Sequence, residues 1–169
     1  LIQSAFAQTR IHVGTVTSER QQIVEIPIYL STDSSITFIQ FVVNYHSDDL
    51  SAESTFVSEG ENIGSLKITL INQNLPFSPD SSSGDENVLI QISGGGSEFV
   101  SGDSLEIVRL RFSLRESSRD TTGLSFDGQS DRSFLTTIGL TDIKDENLGL
   151  EPGFVIVAVS YTHLRAHET

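Results

Sequence analysis

"FIQFVVNYHSDDL", residues 38–50, decides how the chain is read. Successive side chains of a β-strand point to opposite sides, so Ile39, Phe41, Val43 and Tyr45 share one face while Phe38, Gln40 and Val42 share the other. Both faces carry apolar residues. One face is a candidate core; the other must also meet something.

The same alternation continues outward. In residues 23–30, IVEIPIYL, Val24, Ile26, Ile28 and Leu30 alternate with Ile23, Glu25, Pro27 and Tyr29. Pro27 cannot donate a ladder hydrogen bond, which predicts an edge strand or a bulge there. The polar run 31–35, STDSS, predicts a turn before the strand that opens this section. Short strands are predicted at 11–16 and near 53–57. In SLKITLINQ, residues 65–73, Leu66, Ile68 and Leu70 are predicted to face one way, and Lys67, Thr69 and Ile71 the other. PFSPDSSSGDEN, residues 76–87, reads as an exposed loop. Val88, Ile90 and Ile92 follow as the inward face of a strand that ends at Gly94, Gly95 and Gly96.

In SLEIVRLRFSLR, residues 104–115, Leu105, Ile107, Val108 and Leu110 mix before Phe112 and Leu114 fall into phase against Arg109, Arg111 and Ser113. Weaker strands at 123–127 and 134–140 precede a polar turn at 142–147, and GFVIVAV, 153–159, closes the pattern. No segment longer than a turn has an apolar i, i+3, i+4, i+7 stripe. About nine strands joined by Gly/Ser/Asp turns predict an all-β chain, a single antiparallel β-sandwich.

Composition narrows the function classes. At 169 residues, with 37% hydrophobic and 20% charged residues, the chain is the size of one domain with its own core. It contains no Cys, which removes disulfides, zinc-thiolate sites and a thiol nucleophile. A net charge of −13 repels nucleic acid and anionic membranes, both of which are bound through Lys and Arg. No run of about 18 apolar residues is present to span a bilayer. Residues 1–8, LIQSAFAQ, end in an A-x-A pattern at Ala5 and Ala7 and read as a signal-peptide remnant, with export and a mature start near Gln8 expected. Residues 160–169, SYTHLRAHET, abandon the strand pattern and read as a non-native, adapter-like tail. That tail carries His163, His167 and Tyr161, which are set aside; the folded domain is expected to span 9–159.

Catalytic signals are weak. His12 and His46 remain, with no Gly-x-Ser-x-Gly elbow and no Gly-x-x-x-x-Gly-Lys loop. His46 beside Ser47 and Asp48 does not make a triad, whose members meet in space from separate segments. Calcium would take oxygen ligands, and the candidates are Asp80, Asp85 and Glu86 in one loop and Asp142, Asp145, Glu146 and Asn147 in another. Neither follows EF-hand spacing, and both are read as solvated acidic loops. The Gly94–Gly96 run reads as a flexible turn, since no helix or Lys follows to hold a phosphate.

The order of segments carries a resemblance. VGTVTSERQQIVEIPIYLSTDSSITFIQFVVNYHSDDLSAESTFVSEG resembles the first half of a cohesin domain: a leading strand, a strand with an internal Pro, then a hydrophobic strand ending in Tyr45 ahead of a polar turn and Leu50. His46-Ser47 stands where the family most often has Asp-Pro. SGDSLEIVRLRFSL, TTGLSFDG and EPGFVIV are similar to later strands of that family, so the likeness covers roughly residues 11–159. It implies a nine-stranded jelly-roll sandwich, not an enzyme, that binds a dockerin module on one sheet face. It also implies secretion or a cell-surface location, and calcium ions held by the dockerin rather than by this chain.

On that resemblance Ile39, Phe41, Val43 and Tyr45 are core, while Phe38, Gln40, Val42, Asn44, Leu89 and Gln91 form the partner-binding face. Well-studied cellulosomal members have Asn and Asp where this chain has Phe38 and Gln40, so their hydrogen bonds do not carry over directly. Covering of that face by the 73–87 loop is the competing expectation. A carbohydrate-binding β-sandwich is the alternative function, although the chain has no Trp and leaves only Tyr29 for ring stacking. A structural repeat of a larger surface protein is the third reading.

Overall fold

Residues 23–45 run as one strand where the sequence predicts two strands and a turn. In the computed structural model, which describes residues 8–73, 86–95, 97–127 and 132–159, twelve strands follow one another. They are β1 Thr9–Val13, β2 Val16–Ser18, β3 Ile23–Tyr45, β4 Leu50–Glu59, β5 Lys67–Gln73 and β6 Glu86–Ser93. β7 Val100–Leu114, β8 Thr121–Phe126, β9 Phe134–Thr137, β10 Asp142–Lys144, β11 Leu148–Glu151 and β12 Gly153–Val157 complete the chain, with one 3-10 turn at Asp145–Asn147.

β3 belongs to two layers. Its first half pairs with β1 and β7, with Ile11 opposite Leu30 and Ile26 opposite Leu110. β11 extends this layer beyond β1, and β4 extends it beyond β7. The second half of β3 pairs with β6 on one side and with β8 and β9 on the other, with β5 outside β6 and β10 outside β9. β8 continues into β12 and β2.

The STDSS run is therefore the crossing between layers, and its polar side chains satisfy a backbone that changes partners. Buried Ser31 donates to Asp103 at 2.9 Å and accepts from the Ser104 amide at 2.9 Å. Thr32 Oγ1 lies 3.0 Å from Thr9 Oγ1 and accepts from the Ser34 amide at 3.1 Å. Pro27 is likewise not on an edge. It faces Gly14, just past the end of β1, and its carbonyl accepts from Gly14 N at 2.8 Å, so the donor it lacks is missing where β1 stops.

The core follows the alternation. Val24, Ile26, Ile28 and Leu30 from the first half of β3 meet Ile39, Phe41, Val43 and Tyr45 from the second, with Val88, Ile90, Ile92, Leu110 and Phe112. Tyr45 packs on Phe112 with ring centroids 4.8 Å apart. A register shift at Ile28/Tyr29 explains why Ile107 and Val108 are both buried: the bulge turns two consecutive side chains inward. A second shift, between Ile68 and Leu70, turns Leu70 outward beside Gln91, against the expectation that it shares the face of Leu66 and Ile68.

The sandwich is not purely antiparallel. β1 runs parallel to β11 and β2 parallel to β12, pairings between distant segments that local alternation cannot reveal. The expected polar turn at 142–147 is also partly strand, since β10 pairs back on β9. The expected cover of residues 74–85, the acidic groups Asp80 and Asp85, and the tail from 160 lie outside the described residues.

Candidate protein-binding face

The register of β3 against β6 brings all six predicted residues onto one face. Phe38 lies opposite Ser93, Gln40 opposite Gln91, Val42 opposite Leu89 and Asn44 opposite Asn87. Ile39, Phe41 and Val43 point the other way into the core, so these residues form the outer surface of the second layer.

Their exposure is uneven, and this corrects the expectation of an open apolar strand. Val42 is fully buried at 0% exposure, yet it is not part of the central apolar cluster. Asn44 and Gln40 are buried as well. Phe38, Leu89 and Gln91 are half-buried and reachable. Asp127 and Arg132 border these residues. The Asp127 amide donates to the Val42 carbonyl at 3.0 Å, and Gln40 Nε2 donates to the Arg132 carbonyl at 3.2 Å. The Asp127 carboxylate, itself buried, accepts from Arg132 Nη1 at 2.9 Å. Val42 thus stands between Leu89 on β6 and Asp127 at the end of β8.

A polar ladder runs across the face. Gln91 Nε2 donates to Gln40 Oε1 at 2.7 Å, and Gln40 passes the chain on to Arg132. Two glutamines locked in this way present a fixed polar strip with little side-chain entropy left to lose on association. Apolar side chains stand on both sides of it. Phe38 stacks on Phe134 of β9, with centroids 5.5 Å apart and planes at 25°. Half-exposed Leu89 lies beside the strip on the side away from Phe38, and Leu70 continues it onto β5 opposite Gln91. Apolar anchors around a satisfied polar strip are the make-up of a protein-binding surface.

Sequence reasoning missed Phe134, Asp127, Arg132 and Leu70. The first three arrive from the segment after β8, whose pairing with β3 leaves no local period. Leu70 is displaced by the bulge beside Thr69. The weaker strand expected at 134–140 is β9, which stops at Thr137 where the hairpin begins.

Other candidates fall elsewhere. His46 closes a turn, its carbonyl accepting from the amides of Asp49 and Leu50 at 3.1 and 2.9 Å. Among the described residues no group of three His, Cys, Asp or Glu side chains is placed to hold a metal ion. Tyr29, the residue left for stacking on a sugar, is stacked on His12 with centroids 5.0 Å apart. Two surface hollows, at the Tyr45 end of β3, are lined by residues including Ser47, Asp48, Arg115 and Ser117, and among the described residues no histidine lines either. No helix among the described residues is long and apolar enough to cross a membrane.

No protein-family model and no curated protein matches the chain by sequence. Solved structures do match it by shape. A non-cellulosomal cohesin from the archaeon Archaeoglobus fulgidus aligns with a TM-score of 0.66 at 15% identity, covering 96% of this chain and 100% of that one. The sixth cohesin of Acetivibrio cellulolyticus scaffoldin B, solved in complex with a mutant Cel5 dockerin, aligns with a TM-score of 0.66 at 17% identity, covering 90% and 100%. The cohesin CaCohA2 from Clostridium acetobutylicum aligns with a TM-score of 0.64 at 17% identity, covering 92% and 94%. The chain has the cohesin fold, a jelly-roll β-sandwich.

Proposed function

We propose that this chain is a non-catalytic module, secreted or on a cell surface, that docks a dockerin-bearing partner through the outer face of β5, β6, β3 and β9. The observation that carries the reading is the wired Gln40–Gln91 strip flanked by Phe38, Phe134, Leu89 and Leu70 on a cohesin-type scaffold. The Acetivibrio structure of the same fold holds a dockerin, which supports a partner of that kind. In this reading the partner brings its own calcium, and the chain takes no cofactor.

Calorimetric titration of the full chain against a panel of dockerin modules tests it, in calcium and again in chelator, with Leu89→Asp as the variant. Calcium-dependent binding that disappears in the variant is the expected result. Silence across the panel, combined with retention on insoluble polysaccharide, overturns the reading in favour of carbohydrate binding.

A further inference from the structure

The hairpin that joins β9 to β10 is built with its residues in an uneconomical order. Leu140 N donates to the Thr137 carbonyl at 2.8 Å, Thr137 N donates to the Thr141 carbonyl at 2.8 Å, and Thr141 N donates to Thr137 Oγ1 at 3.1 Å. A three-residue loop of this kind needs one residue in the left-handed region, a place suited to glycine. Leu140 occupies it, with φ of 65°, while Gly139 stands one position earlier and outside that region. A leucine there crowds its own backbone.

Packing does not compensate for the strain. Leu140 is 83% exposed and its neighbour Ile138 44% exposed. Strain kept where the folded state gains nothing directs attention to a function outside the fold. The location supplies that function. β9 lies directly against the second half of β3, and the Ile138 amide donates to the Ser35 carbonyl at 2.9 Å. The hairpin tip thus continues the outer face past the Phe38–Phe134 stack. Across β3, Ile36 pairs with Thr137 on one side and Val100 on the other, which sets Phe99, 51% exposed, at the same end.

Resting on the docking function proposed above, we infer that Leu140, with Ile138, is a specificity-determining anchor of the interface, held out at its rim to enter an apolar recess of the docked dockerin module. The partner's chemistry at that point follows from the surroundings. Asp33 and Asp142 are exposed beside the tip and outnumber the nearby cation Lys144, which lies on β10 opposite Phe134, while Arg132 is paired with buried Asp127. An apolar recess flanked by basic side chains is the complementary surface.

Leu140→Gly tests this without the usual confusion with misfolding, because glycine relieves the strain. The variant is expected to raise Tm by about 3 °C while weakening binding of the same dockerin about tenfold or more. Leu140→Met, still apolar, is expected to keep affinity within about threefold. Ile23→Ser, which removes an exposed apolar side chain elsewhere on β3, is the control and leaves affinity unchanged. The association rate is expected to fall as salt rises. A Tm that does not rise removes the strain argument. Unchanged affinity in Leu140→Gly, with wild-type binding intact, overturns the anchor alone. A rate indifferent to salt overturns the basic flank. Absence of wild-type binding to every dockerin overturns the docking function and the anchor together.

Discussion

Asp49 ties two loops together with one carboxylate. It accepts from the Arg119 amide at 3.0 Å and from Arg119 Nε and Nη2 at 3.0 and 2.6 Å, joining the turn after β3 to the turn before β8. Burial would raise its pKa, but the Arg119 hydrogen bonds and charge outweigh that and hold it below the ordinary carboxylate value. A depressed folded pKa means stability that is present above the unfolded value of about 4 and lost as pH falls through the folded one. Asp49→Asn is expected to cost about 2 kcal/mol at pH 7, and urea titrations at pH 7 and pH 3 should show that difference shrinking in acid.

His12 adds an acid sensitivity of its own. Burial lowers its pKa, with Glu151 opposing the shift. The unfolded chain therefore takes up this proton first as pH falls below about 6.5, and the fold loses stability there. His12→Gln should flatten the stability profile between pH 7 and pH 5, read from the denaturation midpoint. A profile as steep as the wild type's would show that other groups carry the dependence.

At the scale of elements, β3 and β6 show how one alternation serves two purposes. Their inward residues were legible: Ile39, Phe41, Val43, Val88, Ile90 and Ile92 are all buried in the core. Their outward residues were legible only in direction, because period 2 says which side a side chain takes and nothing about what stands over it. Val42 and Leu89 are cross-strand partners on that same face, yet one is fully buried and the other accessible. Truncating them should therefore do different things. Val42→Ala is expected to lower unfolding free energy by about 2 kcal/mol, with affinity for a dockerin changing little once the protein is folded. Leu89→Ala is expected to leave stability within about 1 kcal/mol of wild type and to weaken binding about tenfold. Denaturant unfolding and calorimetry on each variant separate the two; the reverse assignment would mean that the accessible surface lies elsewhere.

The whole molecule is organised by β3 passing between layers. Because this one strand is hydrogen-bonded in both, neither layer can open and leave the other with its edges and core intact. Thermal unfolding should therefore be a single cooperative transition, with the calorimetric enthalpy matching the van't Hoff value and tyrosine near-UV and far-UV circular dichroism melting together. Two separated transitions would contradict the shared-strand account. The three-dimensional likeness to cohesins belongs to this scale as well, since 15–17% identity is compatible with a shared path of the chain.

The sequence by itself determined the all-β class, the inward faces of β6 and of both halves of β3, and the order of segments that resembles a cohesin. Those features follow from the two-residue period of a strand and the chemistry of Gly, Pro, Ser and Asp in turns, both local. Tertiary structure alone decided that STDSS is a crossing and not a turn, that bulges at Ile28/Tyr29 and Ile68/Leu70 change which side chains face inward, and that Val42 is buried on a face bordered by Asp127 and Arg132. It also decided that Leu140 is strained and exposed at the rim of that face. Each of these depends on contacts between segments far apart in the chain, or on the geometry of a turn that its residue types do not favour, and local periodicity carries no record of either.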